Sequence, residues 1–441
     1  VKDTFKPVAG SIVAPRGFRA GAVFCDIKRL GTGKGSHRPL KRDLALIVSE
    51  TPAAIAGTFT TNQVCAAPVK WCVAQIKKGV ARAIVINSGN ANACTGAQGA
   101  SDAKAMAETT AQALQVVPRE VFVASTGRIG VLLPMENVKK GIAAAAQNLG
   151  SAPEHADATV DAIMTSDTRP KQIAVEFGLG SKTIRLGGIC KGAGMIQPGM
   201  SATGARPALR SLHATMLCFV TTDAAIDARL LQTALNQSVA QSFNRITVDG
   251  DMSTNDTVLV LANGQSGAAP IRPASKELRT FQGALDHVTR ELARMIVLDG
   301  EGVSRFVTVR VSGARTPSDA DAAARSVANS ALVKTSWHGG DPNWGRILCA
   351  LGYSPARIDE RKIDVGYSLP DQKTVLHSLK AGRPTDTTFA ALCKITTAPA
   401  FDLHINLNVG RASAVIYAAD LTEEYVDFNK GDVTDPSSLG G

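Results

Sequence analysis

No apolar run in this 441-residue chain approaches the ~18 consecutive residues that a membrane span needs. The opening VKDTFKPVAG has neither the charged nor the apolar region of a secretory signal. Both absences predict a soluble, cytoplasmic protein with no membrane partner, although a chain that begins at Val1 leaves open a leader already removed. No CxxC pair occurs among the cysteines Cys25, Cys65, Cys72, Cys94, Cys190, Cys218, Cys349 and Cys393, and no HExxH among the histidines. Reduced, mostly buried thiols are therefore expected, with no zinc site and no disulfide framework. There is also no strict repeat and no low-complexity linker.

A net charge of +10 raises nucleic acid as a partner, so its distribution matters. The densest basic run holds Lys28, Arg29, Lys34, Arg38, Lys41 and Arg42 among glycines, without the interleaved aromatics a single-strand binder uses for stacking. GTGKGS inside it fails the GxxxxGK[ST] spacing of a phosphate loop. A solvated basic loop and no nucleic-acid partner are the expectation.

What is present is 44% hydrophobic residues, enough for a large core in about two or three lobes. Short apolar strands alternate with amphipathic helices, which predicts a layered α/β protein. Strands are expected at residues 83–86, 121–124, 246–248, 306–311, 403–407 and 412–418. Helices are expected from a cap at Ser101 to 114, and over 136–149, 227–242, 284–297 and 318–332, with the STG after residue 124 as a turn.

The segment from Lys191 to Asp223, KGAGMIQPGMSATGARPALRSLHATMLCFVTTD, carries the most specific pattern. Taken alone, Thr215 before Met216, Leu217, Cys218, Phe219 and Val220 reads as the head of a buried strand. Further motifs stand at NSGNANACTG (87–96), STGRIG (125–130), DGDMSTNDT (249–257), DGEG (299–302) and DPNWGRI (341–347). Together, in this order and over nearly the whole chain, they resemble the ornithine acetyltransferase family, the bifunctional glutamate N-acetyltransferases of arginine biosynthesis.

The resemblance implies an amino-terminal-nucleophile-like αββα sandwich. It also implies self-cleavage between Ala214 and Thr215 into an α chain of residues 1–214 and a β chain of residues 215–441, assembled as a heterotetramer of two of each. The freed amine of Thr215 would activate its own hydroxyl, since a terminal amine with pKa near ~8 can serve as the base that a threonine needs. An acetyl ester on Thr215 would form from N-acetylornithine, release ornithine, and pass its acetyl group to glutamate. Thr126 and Gly127 match the family's oxyanion pair. Thr165, Lys191, Thr215, Glu301, Asn429 and Thr434 match substrate-binding positions. No cofactor is implied, and acetyl-CoA enters only as an alternative donor that some members accept.

Three departures stand out. Residues 201–213, SATGARPALRSLH, lengthen the loop before the scissile bond and put His213 where members carry methionine. Loop length itself costs little, so alignment of the bond is what the insertion puts in question. KGDV lies between Asn429 and Thr434 in place of the usual tyrosine-containing pattern, and seven residues follow Thr434. Ser166 replaces a second threonine. Two rival readings stay open at this point: an amidohydrolase or aminopeptidase on the same scaffold, and an uncleaved homologue without enzymatic activity.

Overall fold

The structure, a computed structural model, describes residues 5–28, 41–205 and 216–430. They fall into two compact units, one made of residues up to 244 and 251–296, the other of 245–250 and 297–430.

The first unit is built on β1 (Lys6–Pro7), β2 (Phe18–Val23), β3 (Leu44–Phe59), β4 (Val80–Asn90), β5 (Val121–Arg128), β6 (Lys171–Leu179), β7 (Lys182–Lys191) and β8 (Leu217–Thr222). β9 (Ile246–Thr247) belongs to the second unit, and β10 (Thr257–Ala262) completes the first. Among the described residues these form one nine-stranded sheet in the order β1-β6-β7-β8-β10-β3-β4-β5, with β2 also on β3. β4 shows why both faces are covered: Ala83 and Val85 point to a cluster with Met106, Val138 and Ile142, whereas Ile84 and Ile86 point to another with Val69 and Val160. A strand apolar on both sides needs helices on both sides. α1 (Ala67–Gln75), α2 (Gly96–Leu114), α3 (Met135–Gln147) and α4 (Pro153–Ile163) supply them there, with α5 (Ala228–Gln241) against β3.

β8 and β10 follow residue 215 in sequence, yet they pair with β7 and β3, which precede it. The two halves of the chain on either side of the expected cleavage point thus share one sheet.

The second unit holds a seven-stranded sheet among the described residues. Its strands are β9 with β11 (Phe306–Ala314), β12 (Asp364–Ser368), β13 (Leu376–Lys380), β14 (Arg383–Pro384), β15 (Ala400–Asn406) and β16 (Ala412–Ala419). α6 (Lys276–Leu298) leads into it, and α7 (Pro317–Asn329), α8 (Ala331–His338), α9 (Trp344–Gly352) and α10 (Phe389–Thr396) follow. Trp337, Tyr367 and Phe401 pack together with the inward valines of β11. Each unit is thus a layered α/β structure, the class the sequence predicts.

Several local expectations need correction. Ser101 lies inside α2, whose N-cap is Thr95. The helix expected over 318–332 is two helices, because Ser330 leaves the helical region (φ −68°, ψ 114°) and its hydroxyl takes Val333 N–H to start α8. Ser125, Thr126 and Gly127 continue strand β5 and are not a turn. At the entrance of the basic run, Lys28 is buried, its ammonium donating to Arg42 O at 2.7 Å, while the fully buried Asp43 accepts from the N–H groups of Cys25, Ile27 and Lys28. The rest of that run, residues 29–40 with GTGKGS, lies outside the described residues. Among the described residues all eight cysteines are free thiols, but Cys94 and Cys349 are exposed. No helix of the described residues is long and apolar enough to cross a membrane.

Candidate active site

Parallel pairing of β4 and β5 sets Asn87 beside Ser125, Ser88 beside Thr126 and Gly89 beside Gly127, and the register then slips at Asn90. Gly127 adopts φ +127°, and a Cβ there would stand 2.3 Å from Gly89 C and 2.5 Å from Asn90 N. Only glycine fits, because both the conformation and the neighbouring backbone refuse a side chain. The bulge is pinned by buried amides. Asn87 accepts from Ser125 Oγ at 2.6 Å and donates to Asn90 O, and Asn255 donates to Ser125 O at 2.8 Å and to Ala91 O at 2.7 Å. NSGNANACTG and DGDMSTNDT thereby acquire a common purpose: their asparagines hold Thr126 and Gly127 in place.

Lys191 ends β7 opposite Leu217 of β8. Its ammonium nitrogen donates to Thr126 Oγ1 at 3.4 Å, although β8, β10, β3 and β4 separate β7 from β5 in the sheet order. Five interstrand steps span about 24 Å in a flat sheet, so this sheet curls strongly enough for a lysine to close the gap. Both residues are buried, Lys191 with 3% and Thr126 with 1% of its surface exposed.

Asp167, just past the end of α4, gathers the neighbourhood. It accepts from Thr165 N at 3.0 Å, Gly192 N at 2.7 Å and Lys171 Nζ at 2.7 Å, and Lys191 Nζ lies 3.9 Å away. Burial alone pushes its carboxyl up, but the Lys191 and Lys171 charges and the Gly192 and Lys171 hydrogen bonds outweigh that and hold it well below the usual carboxylate range. Lys28 responds oppositely: burial lowers its ammonium to about 8, against an upward pull from Asp43. The first unit thus brings together Thr126, Gly127, Thr165 and Lys191, all named from sequence. It adds Asp167, Lys171, Asn87 and Asn255, which sequence reasoning did not name as site residues, although Asn87 and Asn255 lie in the quoted motifs NSGNANACTG and DGDMSTNDT and Asp167 stands two residues after Thr165.

Thr215 and Ala214 lie outside the described residues, as does Thr434. The inserted segment is described only as far as residue 205, where Ser201 pairs with Phe59 and its hydroxyl donates to Ala205 O at 2.9 Å. Met216, next after Thr215, donates its amide to Asp256 Oδ1 at 2.6 Å and accepts from Thr257 N at 3.1 Å.

In the second unit Asn429 Nδ2 donates to Glu301 Oε2 at 3.0 Å, uniting two more sequence-named residues. They are held by the chain between β16 and α11 (Glu423–Phe428): Thr422 donates to Gly302 O at 2.7 Å and caps α11 by accepting from Tyr425 N. Asp420 accepts from the N–H groups of Ser304 and Arg305 at 3.0 Å each. Ser304, His338 and Asp420 share the residue types of a hydrolase triad but not its wiring. In a triad the imidazole bridges serine and carboxylate through different nitrogens. Here His338 Nδ1 faces both Ser304 Oγ at 3.3 Å and Asp420 at 3.4 Å, and Nε2 faces Glu423 at 3.1 Å. The cluster is a clasp for the Glu301 turn. DPNWGRI is likewise structural at Asn343, which caps α9 by accepting from Arg346 N at 3.0 Å. Among the described residues no group of three or more His, Cys, Asp or Glu side chains could hold a metal.

Lys334 of α8 donates from its buried ammonium to Ala419 O and from Leu421 N–H receives a bond at its carbonyl, 3.3 Å. Burial lowers its titration from 10.5 to about 8, against Asp249 and Asp420. Below pH 8 folded and unfolded chains both carry the charge and the burial cost is felt in full. Between about 8 and 10.5 the folded form has released the proton and the unfolded one has not, so stability rises with pH. Lys334→Met, which escapes this effect, should lose its relative advantage by on the order of 3 kcal/mol between pH 7 and 10.5. Denaturant melts of both proteins across that range check it; a difference independent of pH would contradict the assignment.

The chain is similar in sequence to known proteins. Residues 22–432 match the ArgJ family. The arginine biosynthesis bifunctional protein ArgJ of Symbiobacterium thermophilum is 46% identical over 422 residues, covering 96% of this chain and 98% of that protein. The glutamate N-acetyltransferase of Methanocaldococcus jannaschii is 43% identical over 427 residues, with 96% and 98% covered. Among solved structures, the ornithine acetyltransferase of Mycobacterium tuberculosis, complexed with ornithine, is 39% identical over 45% of this chain and all of that one, with a TM-score of 0.41. A layered α/β protein with this buried site and these relatives is an acyltransferase of arginine biosynthesis. The chain belongs to the ArgJ family.

Proposed function

We propose that the chain cleaves itself between Ala214 and Thr215 and then carries the acetyl group of N-acetylornithine to glutamate on Thr215. The observation that supports this reading is that Asp167 holds Thr165 and neighbours Lys191, whose ammonium reaches Thr126 beside Gly127, at the end of β7 that pairs with the start of β8, two residues after Thr215.

The freed amine of Thr215 takes the hydroxyl proton while the oxygen attacks the acetyl carbon. The C–N bond to ornithine then breaks, the leaving nitrogen receives the proton, and an acetyl ester remains. Glutamate's α-amine attacks that ester, its proton passes to the Thr215 oxygen as the C–O bond breaks, and N-acetylglutamate leaves. Negative charge develops twice on the former carbonyl oxygen, where Thr126 and Gly127 are the donors. Fixed donors at such a position are each worth about 3–4 kcal/mol in comparable sites. Lys191 pairs with a substrate carboxylate, and Glu301 with a substrate ammonium, helped by Asn429 and Thr434.

In this reading the working protein is two α and two β fragments in the cytoplasm. No cofactor enters the cycle, and acetyl-CoA would act only as an acetyl donor to the same threonine. A ping-pong cycle requires labelled ornithine to exchange into N-acetylornithine with no glutamate present. Exchange at a rate comparable to full turnover is the expected result; exchange that needs glutamate would overturn the acetyl-enzyme.

A further inference from the structure

Asp167 is buried, belongs to none of the roles assigned above, and touches both Thr165 and Lys191. Its Oδ2 takes the amide of Thr165 at 3.0 Å and lies 3.9 Å from Lys191 Nζ, while its Oδ1 takes the amide of Gly192 and the ammonium of Lys171, both at 2.7 Å. Three chain segments meet there: the end of α4, the first residue of β6 and the last of β7 with the glycine after it. Sheet pairing fixes only two of these segments relative to each other, with Lys171 of β6 opposite Cys190 of β7, whereas the loop from 164 to 170 is not part of either strand.

Lys171 makes the short, direct contact, and Lys191 the long one. A carboxylate already engaged by one lysine and two amides orients the second lysine without holding it tightly, which leaves that ammonium able to reach Thr126 and an incoming carboxylate. We propose that Asp167 is the positioning residue of the substrate-carboxylate subsite, setting Lys191 and Thr165 at once for the carboxylate that N-acetylornithine and glutamate have in common. This rests on the acetyl-transfer reading above for the identity of the substrates.

A buried ion pair with Lys171 also has a plainly structural role, so the test must separate the two. Asp167→Asn is compared with the double variant Asp167→Asn/Lys171→Met, in which the close pair is neutral and, of the two lysines, only Lys191 is left facing the amide. Thermal melting reports the fold. Titration calorimetry of the mature protein with ornithine reports the subsite without turnover, and the KM and kcat of the full reaction follow. The expected double variant melts within a few degrees of wild type, binds ornithine at least tenfold more weakly, and raises KM for both substrates by a similar factor with a smaller fall in kcat. A double variant that regains both melting temperature and ornithine affinity would overturn the proposal, and so would one that does not fold, since Asp167 would then serve stability. Wild-type protein that binds ornithine but transfers no acetyl group would sink the acetyl-transfer reading while leaving the role of Asp167 to the calorimetry.

Discussion

Thr215→Ala is expected to yield a single full-length chain with no measurable acetyl transfer. On the proposed mechanism the substitution removes the hydroxyl that becomes the ester and that, in the precursor, attacks the preceding carbonyl. It also leaves the residue that would supply the amine locked in a peptide bond. In hydrolases that work by a comparable nucleophile, its removal costs about 10⁶-fold in kcat, so activity should vanish into background. Thr215→Ser keeps a hydroxyl and should cleave, more slowly, into the same two fragments. Denaturing electrophoresis with an exchange assay checks both variants. A cleaved and active Thr215→Ala protein would remove Thr215 from the mechanism.

Gly127→Ala should be the most damaging single change among the described residues. The added Cβ would stand 2.3 Å from Gly89 C and 2.5 Å from Asn90 N, inside any van der Waals contact with backbone that cannot swing aside. φ +127° is also a conformation that alanine does not adopt without strain. The strand end must therefore move, carrying Thr126 and the Asn255 bonds to Ser125 and Ala91 with it. Loss of one oxyanion donor alone costs about 10²–10³ in kcat, and the strain adds roughly 1–3 kcal/mol of destabilisation. Stopped-time assays and melts of the variant should show both losses. Wild-type kcat with a lowered melting temperature would mean that Gly127 serves the bulge and not the transition state.

The β architecture was legible because residues 83–86 form an unbroken apolar run and residues 306–311, FVTVRV, are rich in β-branched residues, both bounded by polar ends. Their true extents are longer, Val80–Asn90 and Phe306–Ala314, since hydrogen bonding to neighbours continues past the apolar residues. Helix starts were less legible. α6 begins at Lys276, eight residues before the expected point, because its first turns are mostly polar and its cap, Ser275 Oγ accepting from Leu278 N at 3.0 Å, looks like any loop serine. Residues 318–332 carry one continuous periodicity, and nothing local announces that Ser330 leaves the helix.

The site divides in the same way. Thr126, Gly127, Thr165 and Lys191 were reached through motif resemblance, and the fold gathers them. Asp167 was not, although it stands two residues after Thr165, because its importance lies in Gly192, Lys171 and Lys191, partners set by how β6 and β7 return to the end of α4. The fate of Lys191 makes the same point. A lysine in KGAG reads by default as a surface charge, whereas here it is buried beside a carboxylate 24 residues earlier in the chain.

The central claim, that Thr215 becomes the amino-terminal nucleophile of an acetyl-enzyme, is tested most directly by denaturing intact mass spectrometry before and after brief incubation with N-acetylornithine. The account predicts two fragments meeting at Ala214 and Thr215, with an acetyl increment on the one that begins at Thr215 and its loss when glutamate is added. A single uncleaved chain without the increment would contradict it, and would point to the inserted residues 201–213 as the obstacle to cleavage.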